Sequence, residues 1–185
     1  MAVIRMATIL TASSLLTSLG SAQTPAGPAA MAQASAPVPA ARGPSLKAAL
    51  DAARAALKTC QALSQKVAVT VVDSAGVAKA VLASDGASSR GVASSTNKAV
   101  TALTFNLATS ELVAKSAADP ALAAKLTANP SFNSHAGGLL IRLDNEVVGA
   151  IGVGGAKGSE NDEACAKAGL SKITRKGVLR GLAGA

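Results

Sequence analysis

The sequence predicts an α+β fold: one domain in which an antiparallel sheet is flanked by helices. Three observations lead there. First, residues 67–72 are a short β-branched run, the turn Asp73-Ser74-Ala75-Gly76 follows with 77–83 as the return strand, and residues 139–143 and 147–153 flank Asp144-Asn145-Glu146. Each pair reads as a hairpin, and hairpin-joined strands are antiparallel. Second, the helical segments are grouped between and outside the hairpins rather than alternating with single strands. Third, the chain is 49% apolar over 185 residues, with no Trp or Tyr and only Phe105 and Phe132 as aromatics. A core of Ala, Val and Leu requires helices and strands to approach closely.

The elements follow in order. Residues 45–65 place Leu46, Leu50, Ala53, Leu57 and Leu63 near helical spacing, with Pro44 before them and Ser45 as the cap. After the first hairpin, Asp85-Gly86 breaks the pattern, and Ser88 or Ser89 starts a helix to about 107. Its expected buried face is Val92, Thr96, Ala99, Val100, Leu103 and Leu107. Thr109-Ser110-Glu111 opens a shorter helix, and Asp119-Pro120 opens another that ends near 128. Residues 129–135 read as loop, and a last helix is expected over 160–174.

The ends carry different information. Residues 1–22 read as a secretory signal peptide: Arg5, a mildly apolar stretch, then Gly20-Ser21-Ala22 for cleavage. That stretch is too short and polar to span a membrane. Residues 23–44 hold five of the seven prolines and read as an Ala/Pro-rich flexible linker. The domain is then 45–176, followed by a basic tail over 177–185. Export and an even cysteine count suggest a disulfide between Cys60 and Cys165, worth roughly 4–5 kcal/mol for so long a loop; two separate buried thiols are the alternative. Periplasmic or secreted localisation follows.

The net charge is +8, and all ten acids lie between Asp51 and Glu163. The excess is therefore partly C-terminal and reads as a solvated face or as a weak contact with an anionic surface. Without aromatic stacking platforms, nucleic acid is not expected as a partner. One His and two distant Cys give no metal cluster, and no nucleophile elbow accompanies His135.

The segment Val147 to Gly155, followed by Ala156-Lys157-Gly158-Ser159 and Glu160-Asn161-Asp162-Glu163, invites a phosphate-loop reading. No βαβ unit surrounds it, and Glu160, Asp162 and Glu163 at the helix start would repel a phosphate. Ser159 with Asp162 matches the Ser-x-x-Asp capping pattern. It reads as a capped strand-to-helix joint.

Several motifs occur together in order: Val71-Val72-Asp73-Ser74-Ala75-Gly76, Asp85-Gly86-Ala87, Asn97-Lys98-Ala99-Val100-Thr101-Ala102, Thr109-Ser110-Glu111-Leu112, Gly137-Gly138-Leu139-Leu140-Ile141, Val148 to Gly155 and Asp162-Glu163-Ala164-Cys165-Ala166. From about Leu46 to Ile173 the chain resembles the GlcG/HbpS-like haem-binding family, also called DUF336 or the haem-degrading domain. The resemblance implies a profilin-like fold, homo-oligomers, and binding of haem or another tetrapyrrole, in some members with haem breakdown.

Haem requires an apolar slot, cations for its propionates and an axial ligand. Met1, Met6 and Met31 lie in the signal or linker, Tyr is absent, and His135 is the remaining strong ligand. The expected cofactor site is a groove near Lys98, Thr101, Thr109 and His135. In it His135 ligates the iron, Thr101 or Thr109 offers a weak hydroxyl ligand, and Lys98 pairs with a propionate. The plainer readings are a solvated loop His135, helix-face or capping threonines, and a Lys98 held in an internal salt bridge or paired with Asp85. The expected function is a non-catalytic haem binder. The alternatives are an oligomeric small-ligand or scaffold module without haem, and a haem-degrading enzyme.

Overall fold

The computed structural model describes residues 41–183. The signal peptide read over 1–22 and most of the expected linker lie outside the described residues. Helix α1 (Leu46–Ala62) leads to strands β1 (Ala68–Asp73) and β2 (Ala78–Ala83). Helices α2 (Ser89–Phe105), α3 (Thr109–Ala118) and α4 (Pro120–Ala128) follow. Strands β3 (Gly138–Leu143) and β4 (Glu146–Gly154) precede helices α5 (Ser159–Leu170) and α6 (Arg175–Ala183). The sheet order is β2-β1-β4-β3, antiparallel throughout. Both expected hairpins form, and β1 and β4 meet at the centre as the two hairpins join.

Strand alternation divides the core. Val69 and Val71 of β1, with Ile141, Val148, Ile151 and Val153, face α1 and α5. The α1 positions facing them are Ala49, Ala52, Ala53, Ala56 and Cys60, so small side chains let this helix lie close to the sheet. Val72 and Ala150 cluster with Ala99 and Ala102 of α2. Cys60 and Cys165 form a disulfide between α1 and α5, with Cα atoms 5.6 Å apart and a sequence separation of 105.

Ser45 caps α1 as its position predicts, its Oγ accepting from Ala48 N at 3.2 Å. Four details differ from the sequence reading. The buried face of α2 is Gly91, Ser95, Lys98, Ala99, Thr101 and Ala102, not the expected set, with which it shares Ala99 alone. The cause is steric. A Cβ on Gly152 would overlap Ser95 O and lie 2.7 Å from Ala99 N, and a Cβ on Gly154 would lie 2.7 Å from Ser95 N. The backbone of α2 rests on the glycines of β4, which turns its small and polar side inward.

At α5 the Ser159–Asp162 capping pattern does not form. Gly158, at φ +85°, is the N-cap and Ser159 is the first helical residue. Asp162 turns into the interior instead. The expected basic tail is also structured in part: α6 runs to Ala183, and Val178 is buried with the α1 core. Upstream, Arg42 belongs to the fold: its N donates to Ser74 Oγ at 2.8 Å, and Ser74 N donates to Arg42 O at 2.8 Å.

Candidate functional site

Helix α2 has a polar stripe at helical spacing. Arg90, Ser94 and Lys98 lie four residues apart on one face. The stripe overhangs the end of the sheet where β4 leaves through Gly155 and β3 enters through Gly137. There it forms one wall of a cavity of about 320 Å³. Ser88 adds to that wall, Gly155, Ala156, Ser159 and Asp162 form the opposite one, and His135 stands at its edge.

The floor is an ion pair. Lys98 Nζ donates to Asp162 Oδ2 at 2.6 Å, and the residues are 2% and 3% exposed. Asp162 Oδ1 accepts from Ala156 N at 3.0 Å, and the Gly155 amide also bonds this carboxylate. Those are the amides a phosphate loop would offer, and here they are committed to a side chain. Lys98 therefore pairs with Asp162, and not with Asp85, which is exposed. Gly137 makes the approach possible: at φ +125°, a Cβ there would lie 2.8 Å from the Asp162 Cβ and 3.1 Å from Lys98 Nζ. Burial raises the Asp162 carboxyl above the ordinary aspartate value of 3.8, outweighing the Lys98 ammonium and the two amides that lower it.

Of the four residues expected to bind a cofactor, Lys98 and His135 line one cavity, while Thr101 and Thr109 do not line it. Both threonines are fully buried. Thr101 Oγ1 accepts from Asn133 N at 2.9 Å, and Thr109 Oγ1 accepts from Gly138 N at 2.9 Å. They fasten the two ends of the segment that carries His135. Asn133 tightens it further: Nδ2 donates to Ser94 Oγ at 3.0 Å, and Oδ1 accepts from His135 N at 3.1 Å. Phe132 packs edge-on against Phe105, with ring centroids 5.1 Å apart. His135 itself is exposed at the cavity mouth.

The sequence reading missed Arg90, Ser88, Ser94 and Ser159 as lining residues, and took Asp162 for a cap. The signal in the sequence is the Arg90-Ser94-Lys98 stride, which is polar and so falls outside any apolar periodicity on α2.

Haem can be tested against this inventory. Among the described residues both cysteines are in the disulfide, and the buried threonine hydroxyls are committed to backbone amides. His135, exposed at the edge of the cavity that Arg90 also lines, remains as the strong iron ligand. The residues present fit a haem held at the rim by one protein ligand with Arg90 for a propionate; a haem enclosed between two strong protein ligands does not fit.

Removing one partner of the buried pair leaves a charge unpaired. Lys98→Met should cost about 3–5 kcal/mol in urea unfolding. Lys98→Met with Asp162→Asn should cost less, because Asn can still accept from Ala156 N. The pH dependence has a definite sign. A raised folded pKa means the native state holds the Asp162 proton longer than the unfolded chain does. The resulting stabilisation is full below 3.8 and is lost as pH rises through the folded value. Wild type should therefore lose stability relative to Asp162→Asn as pH rises above 3.8, measured by urea midpoints across the acid range.

A family model described as "Haem degrading protein HbpS-like" matches residues 45–171. No curated protein matches the chain. Among solved structures, HbpS is similar at 35% identity and TM-score 0.66, over 71% of this chain and 91% of that one. Klebsiella pneumoniae protein ORFY, a DUF336 protein, is similar at 27% identity and TM-score 0.64, over 70% and 89%. A PduOC–haem complex is similar at 24% identity and TM-score 0.65, over 71% and 96%, a likeness that speaks for the fold alone. With more than half its length matched and the α+β architecture shared, the chain belongs to the HbpS-like family.

Proposed function

We propose that this protein is an exported, non-catalytic binder of haem or a related tetrapyrrole. The observation that carries the reading is the placement of His135, the single histidine of the chain. Its segment is fastened at both ends, and it stands exposed at the mouth of a cavity that Arg90 also lines. In this reading His135 ligates the iron and Arg90 pairs with a propionate. Lys98 takes part through the cavity floor, and Thr101 and Thr109 act as positioning residues for the His135 segment. Haem held there would supply an iron centre able to change oxidation state. Family membership supports haem as the ligand class, and the solved PduOC–haem complex shares the fold.

Haemin titrated into the purified protein should give a saturable Soret shift, which His135→Ala should abolish or alter. A spectrum identical to free haemin at every ratio sinks the proposal. The description of the family model favours haem breakdown as a second reading. Incubating the haemin-loaded protein with peroxide or a reductant separates the two, since protein-dependent bleaching with iron release would replace the non-catalytic reading.

Export rests on the sequence of residues 1–22 and agrees with a disulfide between helices α1 and α5. Among the described residues no helix is long and apolar enough to cross a membrane. N-terminal sequencing of protein recovered from the periplasm or medium should begin near Gln23. Recovery only from the cytoplasm, starting at Met1, would overturn export.

A further inference from the structure

The cavity floor holds an enclosed ammonium with donors left over. Lys98 Nζ has one protein partner among the described residues, Asp162 Oδ2, and an ammonium carries three N–H donors. The residue is 2% exposed, so acceptors for the remaining donors must come from whatever fills the cavity it lines. The surroundings are also rich in donors. Ser88 Oγ accepts from Gly91 N at 3.1 Å and Ser94 Oγ from Asn133 Nδ2 at 3.0 Å, which leaves both hydroxyl hydrogens to donate. Ser159 adds a third hydroxyl. Arg90 makes no ion pair among the described residues. The one carboxylate present, Asp162, has both oxygens engaged.

Charge narrows the class of ligand. Lys98 and Asp162 cancel, so the fixed charge left on the lining is the single positive charge of Arg90. The Gly155 and Ala156 amides already serve Asp162. A phosphate dianion would meet one uncompensated cation and no open amide cradle. A monoanion with two acceptor oxygens matches the donors present, and a guanidinium engages a carboxylate with paired hydrogen bonds. The volume of about 320 Å³ suits a small molecule.

We propose that this cavity is a receptor for the carboxylate group of a small organic acid, held by Arg90, Lys98 and the serine hydroxyls. The inference goes beyond the haem reading and does not require it, although a haem propionate has the same chemistry.

The test uses haem-free, isotope-labelled protein and sodium propanoate, followed by amide NMR. Saturable shifts centred on Ala156, Ser159 and Lys98 are expected, with inorganic phosphate binding more weakly. Arg90→Gln, at an exposed position, should weaken propanoate about tenfold. No saturable shift, shifts centred away from the cavity lining, or an unchanged affinity in Arg90→Gln would each overturn the receptor. Adding haemin separates the sources: displacement of propanoate marks a haem propionate as the occupant, and simultaneous binding marks a free acid. If haemin does not bind and propanoate does, only the haem reading falls. If haemin binds and propanoate does not, only the receptor falls.

Discussion

The close approach of helix α2 to the sheet is the constraint on which the site depends. Strand β4 offers Gly152 and Gly154 to the helix, and β3 offers Gly138, where a Cβ would overlap Lys98 O and lie 2.7 Å from Thr109 Cγ2. Any side chain at these positions would lift the helix or roll it about its axis. With the glycines in place, the α2 backbone around Ser95, Lys98 and Ala99 sits directly on the strands. The rotation this imposes buries Thr101 and Lys98 and carries the Arg90-Ser94-Lys98 stripe over the end of the sheet. The cavity follows from that rotation.

The Lys98–Asp162 pair then closes the end of the sheet between its two helical layers. Asp162 is held from both sides: the Ala156 and Gly155 amides fix its carboxylate, and one turn along the same helix Cys165 ties α5 to α1. A buried pair of this kind is weak evidence for stability, since desolvating both charges offsets most of their attraction. The raised Asp162 pKa has the same origin. A chain selected only for a stable core would have placed apolar residues here. Here an ammonium and a carboxylate are retained at a cavity floor, with Lys98 donors unpaired among the described residues, an arrangement that suits the proposed ligand.

The elements were legible in the sequence because their signals are local. Turn chemistry at Asp73 to Gly76 and at Asp144 to Glu146 marked both hairpins, and Ser45 and Asp119-Pro120 marked helix starts. The face of α2 was not legible by the same means. Apolar periodicity selected Val92, Val100 and Leu103, but contact with a glycine strand rewards small size and close backbone approach over hydrophobicity. Asp162 misled for a related reason. At the start of a helix, after a serine, an acid ordinarily caps or complements the dipole, and its partner Lys98 lies 64 residues away. Only the path of the strands through Gly137 and Gly155 brings the two together.

The two buried threonines bear on what kind of site this is. Each hydroxyl accepts from a backbone amide at one end of the His135 segment, and Asn133 links the segment to Ser94 on the cavity wall. These bonds fix the backbone beside an imidazole that remains exposed. Such an arrangement lowers the ordering cost when the imidazole engages a ligand, yet it builds no apolar slot around that ligand. The protein thus presents a rigid, polar rim with a donor-lined floor beneath it. A ligand bound there would be held by one imidazole and by its own carboxylates, and its remaining surface would need cover from elsewhere.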